Sequence, residues 1–372
     1  MKRVLEVNVD DKGFGGVFAF VMNVMRSIDC DRFVLDIAAF EPFEKDEHKE
    51  SVRSYGGEVY ECHASGNFII KQWNSCSKLY KLLKKKKYQV MHIHSDVAYK
   101  LLLYGLVGRF AGVENIIVHS HSSGVEGKMR LLKSILQTIT KPFLSWQPFT
   151  KLACSNRAAQ WMYMEKTLAD VQIVTNGICL DRFRYSPLKQ KEIREKLSIN
   201  PAGKIIGTVA RFSFQKYPEK LLSVFREVLK IDSNYTLLWI GTGPLMEEIK
   251  KQAEEWGIAK SIIFYGNTDS VSDMYQVMDV FVLTSRFEGL CIAAIEAQAS
   301  GSQCVCSDAL TPETGLVSSY HAVPLDASDS TWAKKMIEYA QVPKRDVIDI
   351  IREKGYDIQQ TVNILDKLYA IK

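Results

Sequence analysis

The sequence predicts an α/β protein with two domains, each built on a parallel sheet covered by helices. Three observations predict this architecture. The chain has 372 residues, of which 47% are hydrophobic, which is enough for two cores. Short apolar runs alternate with longer segments of helical periodicity along the chain. A polar, turn-rich stretch over residues 176–187 interrupts this alternation near the middle.

The apolar runs define two series of predicted strands with helices between them. The first series comprises Val4–Val7, Phe33–Ala39, Val90–His94, Ile116–His121, Lys151–Cys154 and Val171–Thr175, and the second comprises Ile205–Val209, Thr236–Ile240, Ile262–Tyr265, Val280–Leu283 and Cys304–Cys306. We therefore expect an N-terminal domain over residues 1–185 and a C-terminal domain over residues 186–355. Residues 356–372 are periodic like a helix, which is expected either to stay with the second domain or to return to the first.

Composition limits the classes of protein to which this chain can belong. No apolar run approaches the roughly 18 to 20 residues that span a bilayer, and the first residues have the pattern of a strand rather than a signal peptide, so a cytoplasmic protein is expected. The eight cysteines lack paired spacing, which suits reduced thiols and disfavours a zinc site. The net charge is +5, and the basic excess lies in residues 1–185. This excess suits either an anionic membrane surface or a solvated helix end.

Two glycine-rich loops follow predicted strands. Gly13-Phe14-Gly15-Gly16 comes after the first strand of the first series, and Gly241-Thr242-Gly243-Pro244 follows the second strand of the second series. Glycines at such points let backbone N–H groups approach a phosphate, and proline suits the first position of a helix. A plain tight turn or helix start explains both loops as well.

Charged residues follow two strands of the second series. Arg211 and Lys216 lie in the loop after Ile205–Val209, and two such cations can neutralise a departing nucleoside diphosphate through bonds worth roughly 1.5 to 3 kcal/mol each. Glu288 lies in the turn after Val280–Leu283, and Glu296 lies in the second turn of the helix predicted to begin near Leu290. Carboxylates accept hydrogen bonds from sugar hydroxyls, and the helix N-terminus offers donors to a phosphate.

These segments resemble the motifs of the family-4 retaining glycosyltransferases, which include bacterial enzymes of exopolysaccharide and capsule synthesis. Glu288 to Glu296 resembles their E-x7-E motif, and residues 296–301 resemble its E-A-x-A-x-G continuation. Further segments that match motifs of this family are spread over nearly the whole chain: Gly15-Gly16, the strand end at Ile117–His121, Asn176-Gly177-Ile178 with Asp181 and Phe183, Arg211, Lys216 and Gly241–Pro244. The chain departs from the family in having Cys291 and Gln303 where proline is common.

The resemblance implies the GT-B fold, in which two Rossmann-like domains face each other across a cleft. It also implies roles for individual residues. Glu288 would hold hydroxyls of the donor sugar and Glu296 those of the ribose, while Arg211 and Lys216 would bind the diphosphate. His121 would reach the reacting sugar, with His119 as the alternative. The implied catalytic residues are His121, Arg211, Lys216 and Glu288, and the implied donor-binding residues are Gly15, Gly16, Arg211, Lys216, Gly241, Gly243, Glu288, Gly289, Leu290, Cys291 and Glu296.

Three other patterns allow more than one interpretation. Asp29-Cys30-Asp31 resembles a metal-binding Asp-x-Asp, but it precedes a strand instead of following one, so no metal is expected there. His92 with His94, and His119 with His121, place imidazoles on one strand face. No acidic cluster at matching strand ends completes a metal site, so packing or substrate hydrogen bonding is preferred for His92 and His94. Residues 128–146 combine basic residues with an apolar face, which suits a membrane-surface helix or a core-facing one.

The sequence therefore predicts a retaining glycosyltransferase that moves a sugar from a nucleotide diphosphate sugar, with UDP preferred, to a hydroxyl of a glycan or lipid-linked glycan in surface polysaccharide synthesis. We expect no cofactor, metal or nucleic acid partner, and allow for peripheral attachment to an anionic inner membrane face. Two alternatives remain. One is a nucleotide-sugar epimerase or hydrolase of the same fold, and the other is a non-catalytic nucleotide-sugar-binding subunit.

Overall fold

The chain divides into two compact units. A computed structural model describes residues 1–11, 15–125, 129–199 and 203–371. Residues 1–177 and 358–372 form unit 1, and residues 178–357 form unit 2. The first boundary thus lies between Gly177 and Ile178, whereas the sequence placed it after residue 185. The reason is that Phe183 is buried within unit 2, where its ring packs edge-on against Tyr275 at 5.9 Å.

Unit 1 is a seven-stranded parallel sheet covered by helices. Its strands are β1 Lys2–Val7, β2 Phe33–Ala39, β3 Val59–Glu61, β4 Val90–Ser95, β5 Asn115–Ser120, β6 Thr150–Ala153 and β7 Val171–Ile173. The helices between them are α1 Gly16–Ser27, α2 Asp46–Ser54, α3 Phe68–Lys86, α4 Ala98–Ala111, α5 Arg130–Ser145 and α6 Asn156–Met162. The strand order is β3-β2-β1-β4-β5-β6-β7, so the direction of winding reverses between β1 and β4.

Unit 2 is a six-stranded parallel sheet of the same design. Its strands are β8 Lys204–Val209, β9 Tyr235–Ile240, β10 Ile262–Gly266, β11 Val280–Leu283, β12 Gln303–Ser307 and β13 Tyr320–Val323. Its helices are α7 Pro187–Lys196, α8 Pro218–Ile231, α9 Met246–Glu255, α10 Val271–Val277, α11 Ile292–Ala299, α12 Asp329–Tyr339 and α13 Ile348–Glu353. The order β10-β9-β8-β11-β12-β13 places the reversal between β8 and β11. Both orders are those of Rossmann-like sheets, which confirms the predicted fold class.

The last helix, α14 Ile358–Ala370, belongs to unit 1 and packs beside α1. Its Tyr369 is fully buried and reaches Glu6 of β1, with the hydroxyl donating to Oε1 at 2.8 Å. Lys2 also donates to the carbonyl of Tyr369 at 3.0 Å. Of the two positions that the sequence left open for this helix, the chain adopts the return to the N-terminal unit.

The predicted strands all form, and their cores explain why. In unit 2, the buried cluster gathers apolar side chains from the sheet and from the helices that cover it, including Trp239, Phe212 and Trp332. Two strands were not predicted. β3 and β13 are short edge strands with mostly part-exposed residues, so they lack the continuous apolar run of a buried parallel strand.

Candidate active site

Two loops of unit 2 meet at the point where its strand order reverses. We call residues 210–217, after β8, the β8 loop, and residues 284–291, after β11, the β11 loop. Since β8 and β11 are parallel neighbours, their carboxyl ends lie side by side. Ligands of open parallel sheets bind outside these ends at the reversal point. The fold therefore brings the predicted Arg211–Lys216 and Glu288 segments to the same place.

Hydrogen bonds and ring contacts tie the two loops together. The Arg286 backbone N–H donates to the carbonyl of Gln215 at 2.7 Å, and the Arg286 Nε donates to that of Phe214 at 3.1 Å. The guanidinium also stacks on the ring of Tyr217, 3.3 Å from its centroid. From the other side, the Thr284 hydroxyl contacts the carbonyls of Lys216 and Tyr217 at 3.2 and 3.1 Å. The functional side chains are thus carried on a mutually braced pair of loops.

Lys216 and Glu288 form an ion pair between these loops. Lys216 Nζ lies 2.5 Å from Glu288 Oε1, and the side chains are 19% and 8% exposed. Gln215 Nε2 donates to the other carboxylate oxygen at 3.1 Å and to the carbonyl of Phe287 at 3.0 Å. Glu288 is therefore held in one orientation with both oxygens engaged. Glu288 is thus a buried residue of its loop rather than an exposed one.

Arg211 opens the β8 loop and carries an unmatched donor. Its Nε is buried and has no hydrogen-bond partner in the described residues. A buried guanidinium nitrogen without an acceptor is costly, because it has lost water without gaining a replacement. An anion bound at this loop would supply the missing acceptor.

Glu296 lies on α11, one turn beyond the β11 loop. Tyr275 Oη donates to its Oε2 at 2.9 Å. Burial raises the pKa of Glu296 to about 7, against the lowering effects of that hydrogen bond and of the Arg182 charge. The charge of this carboxyl is therefore only partly compensated by its neighbours, which makes Glu296 a candidate functional group.

Cys291 shows how close these groups lie to one another. It is the N-cap residue of α11 and is 3% exposed, and Gly289 and Leu290 before it are buried too. Burial raises the pKa of its thiol to about 12, and the charges of Lys216, Glu288 and Glu296 all act on it. Its backbone, with φ −85° and ψ 98°, lies near the conformation that proline imposes, so cysteine at this position keeps the path of the loop.

The glycines after β9 allow close packing of backbone against backbone. A Cβ at Gly241 would lie 2.3 Å from the carbonyl oxygen of Ala210, and one at Gly243 would lie 2.5 Å from that of Phe212. Gly241 also has φ +132°, which disfavours other residues. These glycines therefore let the segment after β9 pack closely against the backbone of the β8 loop. Pro244 does not open the helix, contrary to expectation, since α9 begins at Met246.

In unit 1, the glycine loop after β1 is partly described. Gly13 and Phe14 lie outside the described residues, whereas Gly15 is the N-cap residue of α1 and Gly16 its first residue. β5 ends at Ser120, so the part-buried His121 is the first residue beyond it. The Asp29–Asp31 turn is exposed and precedes β2, the placement that argued against a metal site there.

His121 belongs to a buried polar cluster that sequence reasoning described incompletely. His92, His94 and His119 are 0% exposed, and their ring nitrogens are close enough together to hold a metal ion. One carboxylate does accompany these histidines, because Glu6 of β1 contacts His94 at 2.6 Å. Glu6 was missed since it stands within an apolar strand. An acidic residue within an apolar strand is unusual, and this feature alone could have identified Glu6 from the sequence.

Comparison with known proteins agrees with this geometry. Residues 189–342, which carry the β8 loop, the β11 loop and α11, match the family Glycosyl transferases group 1. This part of the chain is therefore a glycosyl transferases group 1 domain, and the protein is a glycosyltransferase with the GT-B fold.

Particular relatives extend the likeness over the whole chain. The sequence is 27% identical to the putative glycosyltransferase EpsF of Bacillus subtilis, covering 100% of this chain and 97% of that protein. It is 26% identical to an Escherichia coli UDP-Gal:alpha-D-GlcNAc-diphosphoundecaprenol alpha-1,3-galactosyltransferase, over 64% of this chain and 63% of that one. The crystal structure of Anabaena HepE with UDP and glucose superposes with a TM-score of 0.77 at 13% identity, covering 100% of both chains.

Within the described ranges, no helix combines the length and the hydropathy that crossing a bilayer requires.

Proposed function

We propose that this glycosyltransferase transfers a sugar, with retention, from a UDP-sugar to a hydroxyl of a lipid-linked glycan in surface polysaccharide synthesis. One observation carries the proposal. Two cations and two carboxylates stand on braced elements at the carboxyl ends of β8 and β11, where the winding of the sheet reverses. This arrangement suits a ligand with an anionic centre flanked by hydroxyl groups on both sides, which describes a nucleotide diphosphate sugar.

The cations are assigned to the diphosphate. Arg211 brings a buried nitrogen that has no acceptor in the described residues, and Lys216 brings an ammonium group already oriented by Glu288. The N-terminus of α11 adds backbone donors and a favourable dipole. These groups stabilise the negative charge that develops on the leaving diphosphate as the glycosidic bond breaks.

The carboxylates are assigned to the two sugars of the donor. Glu296 accepts hydrogen bonds from the ribose hydroxyls, which would compensate the charge that burial now disfavours. Glu288, whose oxygens face Lys216 and Gln215, holds the transferred sugar next to the diphosphate. Gly241, Gly243, Gly289, Leu290 and Cys291 complete the donor site through the backbone.

A front-face route fits this set of groups. The bond from the anomeric carbon to the phosphate oxygen breaks, and its electron pair stays on the departing UDP. The acceptor hydroxyl forms its bond on the same face of the sugar, and its proton passes to a phosphate oxygen. No metal is required in this scheme, because Arg211 and Lys216 supply the positive charge.

The comparisons support the choice of donor and acceptor. HepE is described in complexes with UDP and with UDP-glucose. The name of the Escherichia coli relative specifies a UDP-Gal donor and a diphosphoundecaprenol-linked acceptor. A lipid diphosphate acceptor places the reaction at the inner face of the membrane, to which the protein would attach peripherally.

Helix α5 provides a surface for that attachment. One stripe of α5, continued by the residue after the helix, exposes large apolar side chains, whereas Gln137, Leu144 and Ser145 of the same helix are buried. Its members are Leu131, 78% exposed, Ile135, 48%, Ile139, 55%, Phe143, 54%, and Trp146, 72%. Arg130 at the start of the helix adds positive charge. Lys128 lies outside the described residues. An apolar stripe beside basic residues is the pattern of a helix that lies in a lipid interface.

The transfer reaction is tested with a panel of UDP-sugars. Thermal shift first identifies the donor, since a ligand at 100 times its Kd stabilises the protein by about 2.7 kcal/mol. That donor is then incubated with and without a diphosphoundecaprenol-linked sugar, and products are separated by mass spectrometry. We expect an extended lipid-linked glycan and one UDP for each sugar transferred. Donor consumption without acceptor would indicate an epimerase or hydrolase, and binding without any turnover would indicate a non-catalytic subunit.

Membrane attachment is tested by vesicle flotation. We expect Ile139→Glu to abolish binding to vesicles containing phosphatidylglycerol. Leu188→Glu changes a similarly exposed apolar residue of unit 2, which is 81% exposed, and should leave binding intact. Equal binding by the wild type and Ile139→Glu would reject α5 as the attachment surface.

A further inference from the structure

One lysine of unit 2, Lys344, joins the ends of two helices. It is half-buried and lies in the segment between α12 and α13. Its Nζ donates to the carbonyl of Tyr275, in the last turn of α10, at 2.6 Å, and to the Ser302 hydroxyl at 2.9 Å. A longer contact of 3.4 Å reaches the carbonyl of Ser300, the C-cap residue of α11. The last carbonyls of a helix lack partners within the helix, and a lysine suits them because its charge also meets the negative end of the helix dipole.

The residues that follow α11 make room for this lysine. Gly301 has φ +73°, and a Cβ there would lie 2.4 Å from the carbonyl oxygen of Arg345. The segment that carries Lys344 therefore packs directly on the backbone at Gly301. The Ser302 hydroxyl, which accepts from Lys344, also lies 3.5 Å from the carbonyl of Met278, the C-cap residue of α10. Any side chain at Gly301 would push this segment, and the amine with it, away from the two helix ends.

The two helices that Lys344 joins carry Tyr275 and Glu296. The Tyr275 hydroxyl on α10 donates to Glu296 Oε2 on α11 at 2.9 Å. Burial and the Glu296 charge raise the pKa of Tyr275 well above its usual value, so the phenol keeps the proton that it donates. Lys344 thus holds the backbone of the same residue whose side chain holds the carboxylate.

Helix α10 depends on such contacts for its position. It has seven residues, and a helix this short is not stable by itself. Gln276 connects it to the start of unit 2, since the Ser186 backbone N–H donates to Gln276 Oε1 at 2.9 Å. Lys344 connects it to the end of α11 instead. The distance between the Tyr275 hydroxyl and Glu296 therefore depends on this amine.

The amine is costly to keep in this place. Burial lowers the pKa of Lys344 to about 7, although the charge of Asp279 raises it. Both the ammonium and the neutral amine can donate to the two nearer acceptors, Tyr275 and Ser302. A polar group that loses water on burial adds little net stability, so a role in fixing one geometry accounts for this lysine better than a role in stability does.

We propose that Lys344 is a positioning residue for Glu296. By holding the ends of α10 and α11 together, it keeps the Tyr275 hydroxyl against the carboxylate and so orients the remaining lone pairs of Glu296 toward the ribose hydroxyls of the donor. This inference rests on the proposed function, in which Glu296 binds the ribose. It makes Lys344, which no motif of the sequence indicates, a determinant of nucleotide affinity.

The first test measures the pKa of Glu296 in the protein without nucleotide, by carbon-13 NMR of the glutamate carboxyl groups with Glu296→Gln for assignment. The Tyr275 bond lowers this pKa, so Tyr275→Phe should raise it. Lys344→Met should also raise it, because the hydroxyl then moves away from the carboxylate. The double variant should match Tyr275→Phe, since the two residues act in series. No change in Lys344→Met, or a further rise in the double variant that reveals a direct effect of the lysine charge, would overturn the proposal.

The second test compares two nucleotides by isothermal titration. UDP and 2′,3′-dideoxy-UDP differ only in the hydroxyls assigned to Glu296, and hydrogen bonds to a charged group should make UDP bind at least about tenfold more tightly. Lys344→Met should weaken UDP binding by at least about threefold and leave the dideoxy compound unchanged. Equal weakening of both nucleotides, or no weakening of UDP, would mean that Lys344 does not act through Glu296.

Lys151→Met is the matched control. Lys151 of unit 1 is 8% exposed and donates to the carbonyl of Gln147, just after α5, at 3.1 Å, so it is also a lysine at a helix end. It should lower the melting temperature and leave the Glu296 pKa and the UDP affinity unchanged, and a change in either would reject the assignment of Lys344. If Lys344→Met does not fold, Ser302→Ala removes one acceptor of the amine and should give smaller shifts in the same directions. Unshifted values in Ser302→Ala would then overturn the proposal.

The two tests separate this inference from the proposed function. A protein that binds no UDP would reject the donor site, whereas the Glu296 titration needs no nucleotide and still decides whether Lys344 acts through Tyr275.

Discussion

Lys216 offers the sharpest test of the donor site, through the substitution Lys216→Met, which keeps the length of the side chain and removes its charge. A charge-assisted hydrogen bond to phosphate contributes roughly 1.5 to 3 kcal/mol, which corresponds to about a 10- to 100-fold change in Kd. Glu288 already compensates part of the Lys216 charge at 2.5 Å, so we expect the lower part of this range for UDP. Isothermal titration with UDP measures the change.

Uridine and a second lysine provide the controls. Uridine lacks the diphosphate, so its affinity should not change in Lys216→Met. Lys220→Met removes a cation on α8 that pairs with Asp329 at 2.8 Å, and it should leave UDP binding unchanged. Equal weakening of UDP and uridine, or no weakening of either, would refute the assignment of Lys216 to the diphosphate.

Three further outcomes are expected. The pKa of Glu296 is raised to about 7 from 4.5, so folding takes up a proton between these values, and the free energy of unfolding of the unliganded protein should fall as the pH rises from about 5 to 8. The free energy of unfolding of Glu296→Gln, measured by urea denaturation, should not show this fall with pH. The same pH dependence in the variant as in the wild type would contradict the prediction. Tyr275→Phe removes a bond that lowers this pKa, so the midpoint of the same curve should move to higher pH, and a downward move would count against the assignment. Gly243→Ala places a Cβ 2.5 Å from the Phe212 carbonyl and should weaken UDP binding, whereas Gly257→Ala, with open space around it, should cost only backbone strain of about 1 kcal/mol. Calorimetry showing equal UDP affinity in these two variants would remove the role of Gly243 in shaping the β8 loop.

The sequence predicts the fold well because buried parallel strands read as apolar runs. Val280–Leu283 and Phe33–Ala39 match their strands residue for residue. The edge strands β3 and β13 escape the same reasoning, since their residues are largely part-exposed. The helix after β9 was placed too early because proline is common at helix starts, whereas here it stands in the turn before Met246.

The sequence predicted those residues of the candidate site whose placement depends only on one strand and the loop that follows it. Lys216 and Glu288 each follow a strand end, and the sheet topology then brings them together. Their surroundings were not predictable, because partners such as Tyr275 and Gln215 come from other segments and lie in sequence contexts without a pattern of their own. Glu6 belongs to the same class, as its contact with His94 arises only because β1 and β4 are neighbours in the sheet.

A crystal structure of the protein with UDP tests the central claim most directly. We predict that the diphosphate contacts Arg211 and Lys216, and that the ribose hydroxyls lie within about 3.2 Å of the Glu296 carboxylate, the distance of a hydrogen bond. A nucleotide bound away from the carboxyl ends of β8 and β11, with Arg211 Nε still lacking an acceptor, would contradict the account.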